Sequence, residues 1–272
     1  MTVRLRNNLL TTGLVIAFLL FFSTFLFGYI ILSINGNDAR VEELNRIVDF
    51  HMIDDTILPS FITIQILVLL ALIVSIGTIK SYKNTEAPEL FFFTFFTLSI
   101  SFESLRLLNA VIFVLDTPLY ATQLVAKAIY FGRVFRLMSL LASTLYLTNF
   151  TYKRFGTILA ASFLIAFSLA AYIPVDPTLL SSDLSYSLGI RNSRIFFSVA
   201  IYILVFLNLL IALFQKRYPR YLLLLTGVLI ILSGSSLYLH DEHFILTHSG
   251  LFLVILGSII TTRSIEKIYI PL

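Results

Sequence analysis

FFFTFFTLSISFESLRLLNAVIF (residues 91–113) and YATQLVAKAIYFGRVFRLMSLLASTLYL (residues 120–147) are consecutive apolar runs. Each is long enough to cross a bilayer, since a spanning helix needs roughly 20 mostly apolar residues. The first carries Glu103 and Arg106 near its middle; the second carries Lys127, Arg133 and Arg136. No other apolar run of the chain has an ionisable residue at its centre. A charge in the middle of a spanning helix costs about 2.5–3.5 kcal/mol on insertion scales, so such residues face a bundle interior or a wet cavity. The reading of function starts from these five side chains.

The composition supports a membrane class. Of 272 residues 58% are hydrophobic and only 12% are charged, where a soluble domain carries about 25% charged residues. There is no Trp, so an interfacial aromatic belt falls to the 13 Tyr. There is no Cys, which excludes disulfides, thiolate metal sites and cysteine nucleophiles. The net charge of +4 follows from loop bias rather than from a nucleic-acid surface.

Eight spans are read, at roughly 9–34, 57–79, 89–115, 120–149, 155–174, 195–214, 221–239 and 244–262. The start MTVRLRNNLL resembles a signal peptide, but the apolar stretch behind it exceeds the ~7–15 residues of a signal h-region, so a retained first helix is expected. With the N-terminus inside, the cytoplasmic segments collect Arg4, Arg6, Lys80, Lys83, Lys153, Arg154, Lys216, Arg217, Arg220, Arg263 and Lys267 against Glu86, Glu89 and Glu266. The outer segments hold Arg40, Arg46, Arg191 and Arg194 against Asp38, Glu42, Glu43, Asp49, Asp54, Asp55, Asp116, Asp176, Asp183, Asp241 and Glu242. The positive-inside rule therefore predicts an all-α, polytopic bundle of eight transmembrane helices, one plus seven, forming a single domain over 1–272 with both termini cytoplasmic. The setting expected is a plasma (inner) membrane.

Two outer loops are long. Residues 35–56 place Val41, Leu44 and Val48 at helical spacing among acids, which reads either as a short amphipathic helix or as a solvated linker. Residues 175–194, with Pro177 and several serines, read as an irregular loop or lid.

On the third run Ser99, Glu103, Arg106 and Ala110 recur at steps of four, three and four, hence on one face. On the fourth, Lys127, Tyr130 and Val134 share a face, and Arg133 and Arg136 are neighbours at i, i+3. A short LDTPL connector makes the two helices antiparallel, so a bridge from Glu103 to Arg133 or Arg136 is expected, an Arg fork matching a carboxylate. One carboxylate does not neutralise four cations. Three readings stay open: a polar network that fixes packing, an electropositive pocket for an anion (a lipid headgroup, a carboxylate or a phosphate-bearing molecule), or a path for protons or ions. Glu103, Arg106, Lys127, Tyr130, Arg133 and Arg136 are the candidate ligand-binding residues.

The turn LYLHDEHFILTHSG (residues 237–250) gathers His240, Asp241, Glu242, His243 and His248. It reads as a polar turn, as a zinc site through His240, His243 and His248, or as a pH sensor. H-E-x-x-H is absent, and the helical HxxxH spacing of ceramidase-type hydrolases is not reproduced. The last run has no central lysine for a retinal Schiff base, and no Walker, G-x-S-x-G or dinucleotide motif occurs. No cofactor is expected beyond the zinc alternative, and no nucleic-acid partner. Gly250 and Gly257 lie seven apart, like Gly227 and Gly234, which predicts a close contact between the last two helices.

SFESLRLLN (residues 101–109), a short turn, and KAIYFGRVFRLMSLLASTLYLTNFTYKRFG (residues 127–156) together resemble the seven-helix sensory modules at the N-termini of bacterial histidine kinases. The likeness spans roughly residues 57–263, with Glu103 at the module's acidic position and Tyr130 and Gly132 in its second segment. It implies a sensor in signal transduction. No kinase or cyclase domain follows Lys267, so the likeness implies a separate signalling partner. The expected function is a membrane sensor or receptor that binds an anionic or amphiphilic ligand at the Glu/Arg network, with enzymatic activity left open. The alternatives are a transporter or channel subunit using the same charges, and a metallohydrolase using the histidines.

Overall fold

The structure, a computed structural model, describes residues 2–33, 43–44, 58–115, 117–148, 155–181, 184–189, 191–216, 219–240 and 244–269. It is a helical bundle with one small hairpin. The helices are α1 (Val3–Ser33), α2 (Leu58–Thr85), α3 (Pro88–Leu98), α4 (Leu105–Val114), α5 (Leu119–Leu147), α6 (Phe155–Tyr172), α7 (Arg191–Lys216), α8 (Pro219–His240) and α9 (Phe244–Tyr269). A 3₁₀ segment, Ser99–Ser104, joins α3 to α4. Six of these rods are long and apolar enough to cross a membrane, with α3, the 3₁₀ segment and α4 counting as one rod, Pro88–Val114.

That composite rod is the axis of the bundle. Within its apolar window 83% of residues are buried, against 17% in α1 and in α6. Its Phe91, Phe92, Phe93 and Phe96 are fully enclosed. Phe92 stacks on Tyr146 of α5 at 5.3 Å, and Tyr146 on Phe155 of α6 at 5.4 Å. α1, α2, α5 and α9 pack around it. The outward faces of α1, α6 and α7 show large apolar side chains such as Leu19, Phe167 and Phe196, as lipid-facing surfaces do.

Contacts at the helix ends place both termini at one end of the bundle. Arg6 of α1 lies over Phe155, 4.8 Å from the ring centroid, and 6.0 Å from that of Tyr82 of α2. Tyr269 of α9 donates to both carboxylate oxygens of Glu89 on α3, at 2.9 and 2.8 Å. Arg220 of α8 donates to the Lys267 carbonyl at 2.6 Å. The α2–α3 corner at this end is tight: Glu86 takes φ 51°, a left-handed residue closing a helix just before the Pro88 that opens the next. Burial and the nearby Glu89 charge push the Tyr269 phenol up, so it stays a hydrogen-bond donor. α9 runs well past the expected boundary near Thr262, because Ile265 is buried on the inner face and keeps the last turns packed.

α8 and α9 meet as the glycine pattern predicts. A methyl on Gly234 would stand 2.6 Å from the Gly250 carbonyl oxygen, and one on Gly257 2.7 Å from that of Gly227. Backbones in such proximity need glycine at the crossing.

Two features differ from expectation. The third rod is not one continuous α-helix. Its serines supply the reason: Ser99, Ser101 and Ser104 hydroxyls donate to the carbonyls three residues back at 2.8, 2.7 and 2.7 Å, a local competitor of the i−4 ladder. The loop after α6 is not irregular. It forms an antiparallel pair, β1 (Val175–Leu180) with β2 (Tyr186–Leu188), whose register shifts between Asp176 and Leu180. Pro177 sits in that interval, where a residue without N–H interrupts the ladder. The hairpin caps the opposite end of the bundle. Leu184 at its tip takes φ 60°, is fully buried beside Leu107 and Val111, and its carbonyl accepts from Asn109 of α4 at 2.9 Å. Tyr186 is buried too; this raises its phenol pKa, opposed by a hydrogen bond with Thr122 of α5. In the other long loop only Glu43 and Leu44 are described: both are helical, Leu44 buried and Glu43 exposed. The rest of 35–56 lies outside the described residues.

Candidate functional site

The 3₁₀ segment decides where Glu103 points. With three residues per turn, positions i and i+3 eclipse, so Glu103 lies under Arg106 at the start of α4. Arg106 Nε donates to Glu103 Oε2 at 3.0 Å. Across the interface α5 brings up the other cations. Arg133 donates from Nε to Oε1 at 3.4 Å and from Nη2 to Oε2 at 3.5 Å. Arg136 Nη1 lies 3.7 Å from Oε1. Both bridges weighed from sequence, to Arg133 and to Arg136, therefore form on the same carboxylate.

Gly132 makes the approach feasible. A methyl there would run into Phe102, 2.6 Å from its Cγ, so the residue before Glu103 rests directly on the α5 backbone beside Arg133. Gly132 positions the cluster rather than merely filling space.

The cluster is dry. Glu103, Arg106 and Arg136 are at most 2% exposed and Arg133 is 9% exposed. Among the described residues one carboxylate meets three guanidiniums. The three forks present about fifteen N–H donors. A buried group of this kind loses several kcal/mol of hydration per ion, which attraction and hydrogen bonds must offset.

The other candidates from sequence fall elsewhere. Lys127 reaches away from the cluster: its Nζ donates to the Ala171 carbonyl at 2.9 Å, at the last turn of α6, where a cation favours the helix dipole. Tyr130 packs with Ala166, Ala170, Tyr186 and Leu188, under the hairpin, and feels Arg133 and Arg194 only through space. His243 lies outside the described residues, as do the side chains of His240 and His248. Among the described residues no group of three metal-binding side chains occurs.

The sequence reading missed neighbours of Arg136. Ser139, one turn on, is fully buried. Tyr202 of α7 lies in the field of Arg136 and faces the hydroxyl of Ser235 on α8. A hydroxyl in an apolar helix is common, so none of these stood out singly; the i, i+3 spacing of Ser139 from Arg136 is the one signal the sequence offered. Comparison with models of protein families and with characterised proteins finds no match to this chain, so the site speaks through its own residues alone.

Proposed function

We propose that this chain is an eight-helix multi-pass protein of a plasma membrane, with both termini on the cytoplasmic side, that binds an anionic or amphiphilic ligand at the Glu103, Arg106, Arg133 and Arg136 cluster and passes its occupancy to a separate signalling partner. The observation that carries the reading is the convergence of three buried guanidiniums from two helices on a single carboxylate. An anion entering beside Glu103 would lower the local positive charge and offer the forks paired acceptors. The topology rests on the loop charges and on both termini lying at the same bundle end. The sensory role rests on the resemblance to kinase-linked membrane modules.

Native mass spectrometry of mildly extracted protein tests it, with Arg133→Gln/Arg136→Gln beside wild type and metal analysis of both. A bound anionic molecule in wild type that the double variant lacks is the expected result. An identical set of bound molecules in both sinks the pocket. A second reading, a transporter subunit, draws on the mid-rod 3₁₀ break, since interrupted helices line midplane substrate sites in transporters. Ligand-dependent flux in proteoliposomes would favour it.

A further inference from the structure

Among the described residues the fold buries two carboxylates, Glu103 and Glu89. Glu103 sits among guanidiniums, whereas Glu89 forms no ion pair with any described residue. A single phenol, that of Tyr269, meets both Glu89 oxygens, at 2.9 and 2.8 Å. Each distance is that of a hydrogen bond, yet a phenol carries one proton. An ionised carboxylate therefore shares one donor between two buried oxygens, and sharing leaves part of its hydrogen-bonding capacity unmet. A protonated carboxyl fits the same two contacts: the acid O–H donates to the phenol oxygen, and the phenol O–H donates to the other carboxyl oxygen.

The surroundings set the two forms against each other. The first turn of α3 favours the ion, as helix N-termini do; burial without a paired cation favours the neutral acid. Of the charged groups on the neighbouring helices, Lys216 of α7 acts on the carboxyl, and only through space. Its ammonium lies 5.7 Å from the ring centroid of Tyr221 of α8, which in turn acts on Tyr269. Arg6 of α1 and Glu86 of α2 act on Tyr82 instead. Glu266 of α9 accepts from Ser81 at 3.2 Å, and Arg220 of α8 donates to the Lys267 carbonyl. α5 contributes the neutral Ser143, whose hydroxyl donates to the Glu89 carbonyl at 2.9 Å. Tyr269 itself is 42% exposed, so its hydroxyl connects the buried carboxyl with water at the terminus-bearing face.

We propose that Glu89 and Tyr269 form a proton-binding latch between α3 and α9, closed when Glu89 holds a proton and loosened when that proton leaves. The proton comes from water at the terminus-bearing face, binds one Glu89 oxygen and returns to the same water on release; the phenol keeps its own proton throughout. The latch fastens the last turn of α9 to the first turn of the most buried rod. Because the closed form is the protonated one, the joint is tightest in acid and weakens as pH rises. In the proposed topology the proton that sets it is that of the cytoplasm. The site is separate from the Glu103 cluster and does not depend on an anion binding there.

Two measurements on the full-length protein in neutral detergent test this between about pH 5 and about pH 9. Infrared spectroscopy reads the protonated carboxyl directly through its C=O stretch. Wild type should show a carboxylic acid band that fades as pH rises and that Glu89→Gln lacks. Hydrogen exchange reads the latch, as protection of the amides at 263–269 relative to Glu89→Gln at the same pH. The Gln amide keeps one donor and one acceptor toward Tyr269 and does not titrate, so it holds the latch at every pH. Wild-type protection should match Glu89→Gln in acid and fall below it by about threefold or more at the alkaline end. Tyr269→Phe should lose that protection at every pH, and it keeps the test in force if Glu89→Gln does not fold. An acid band missing at the acidic end, or one unchanged to the alkaline end, overturns the proton-binding site. Protection in Tyr269→Phe that follows pH as wild type does overturns the latch.

Discussion

Replacing Glu103 by Gln keeps the side chain's shape and removes one charge from the hub of the cluster. Three guanidinium nitrogens lie 3.0, 3.4 and 3.7 Å from its oxygens. At an effective dielectric near 20, a unit pair about 4 Å apart attracts by about 4 kcal/mol. Three pairs give a gross term on the order of 10 kcal/mol, set against repulsion among the guanidiniums and the desolvation of the carboxylate itself. The net cost expected is that of stripping a partner from a buried ion pair, about 3–5 kcal/mol. Arg106→Gln removes one attraction but also relieves two repulsions, so it should cost less, about 1–3 kcal/mol. With no Trp in the chain, unfolding in mixed micelles is followed by far-UV circular dichroism. The order of the two variants is the test: a Glu103→Gln protein no less stable than Arg106→Gln would refute the carboxylate as the hub. The same substitution raises the local charge by one, so Glu103→Gln protein that stays folded should bind an anionic amphiphile such as hexadecanoate more tightly than wild type in calorimetric titration.

Further outcomes follow from single contacts. Gly132→Ala forces the Phe102 backbone away from α5 and should cost about 1–3 kcal/mol, with a parallel loss of anion affinity in titration. Tyr269→Phe removes the phenol donor shared by both oxygens of the buried Glu89 carboxylate and should cost about 1–3 kcal/mol in the same unfolding assay. Lys127→Met removes the cation at the end of α6; a loss of a few tenths to about 1 kcal/mol is expected, with anion binding unchanged, and a loss of binding would return Lys127 to the site. Ser101→Ala/Ser104→Ala deletes two hydroxyls that favour the 3₁₀ turn, so hydrogen exchange of the amides around Glu103 should change while the hairpin end keeps its protection.

Much of this arrangement is legible in the chain because the membrane restricts the choices. Apolar runs of spanning length read as helices, and a charge at the centre of a run has few places to go but inward. The antiparallel pairing of the third and fourth runs then brings Glu103 to Arg133 and Arg136. The glycine spacing in the last two helices is equally direct, since only a missing Cβ admits a carbonyl at 2.6 Å. What the chain hides depends on competition between similar energies. SISFES reads as ordinary helix from its pattern, and that its serine hydroxyls donate to the i−3 carbonyls and favour the tighter turn shows only in the folded chain. Pro174 and Pro177 look like loop residues, yet the flanking Val175, Tyr186 and Leu188 find enough apolar surface to pair as strands. Lys127 sits one turn from Tyr130 on the helix, but a long stem lets its charge leave the membrane interior for a helix end.

The position of the cluster also bears on how occupancy would be read elsewhere. Six residues at about 2.0 Å rise are about 3 Å longer than the same six in an α-helix at about 1.5 Å. A 3₁₀ to α conversion at Ser99–Ser104 would therefore draw α4 toward α3 by about that amount and turn Glu103 away from Arg133, whose bonds at 3.4 and 3.5 Å have little slack. In the proposed reading an anion beside Arg136 would replace part of the work of Glu103 and so lower the cost of that conversion. From Ser235 α8 runs about 22 Å to Arg220, closely packed on α9 through its glycines. At the far end Arg220 holds the Lys267 carbonyl, and Tyr269 holds Glu89 at the base of α3. The base of α3 and the α8–α9 pair thus meet at the terminus-bearing face. A shift of α3 on that conversion would strain the Tyr269–Glu89 bond, and in the proposed reading this face is where a partner registers occupancy.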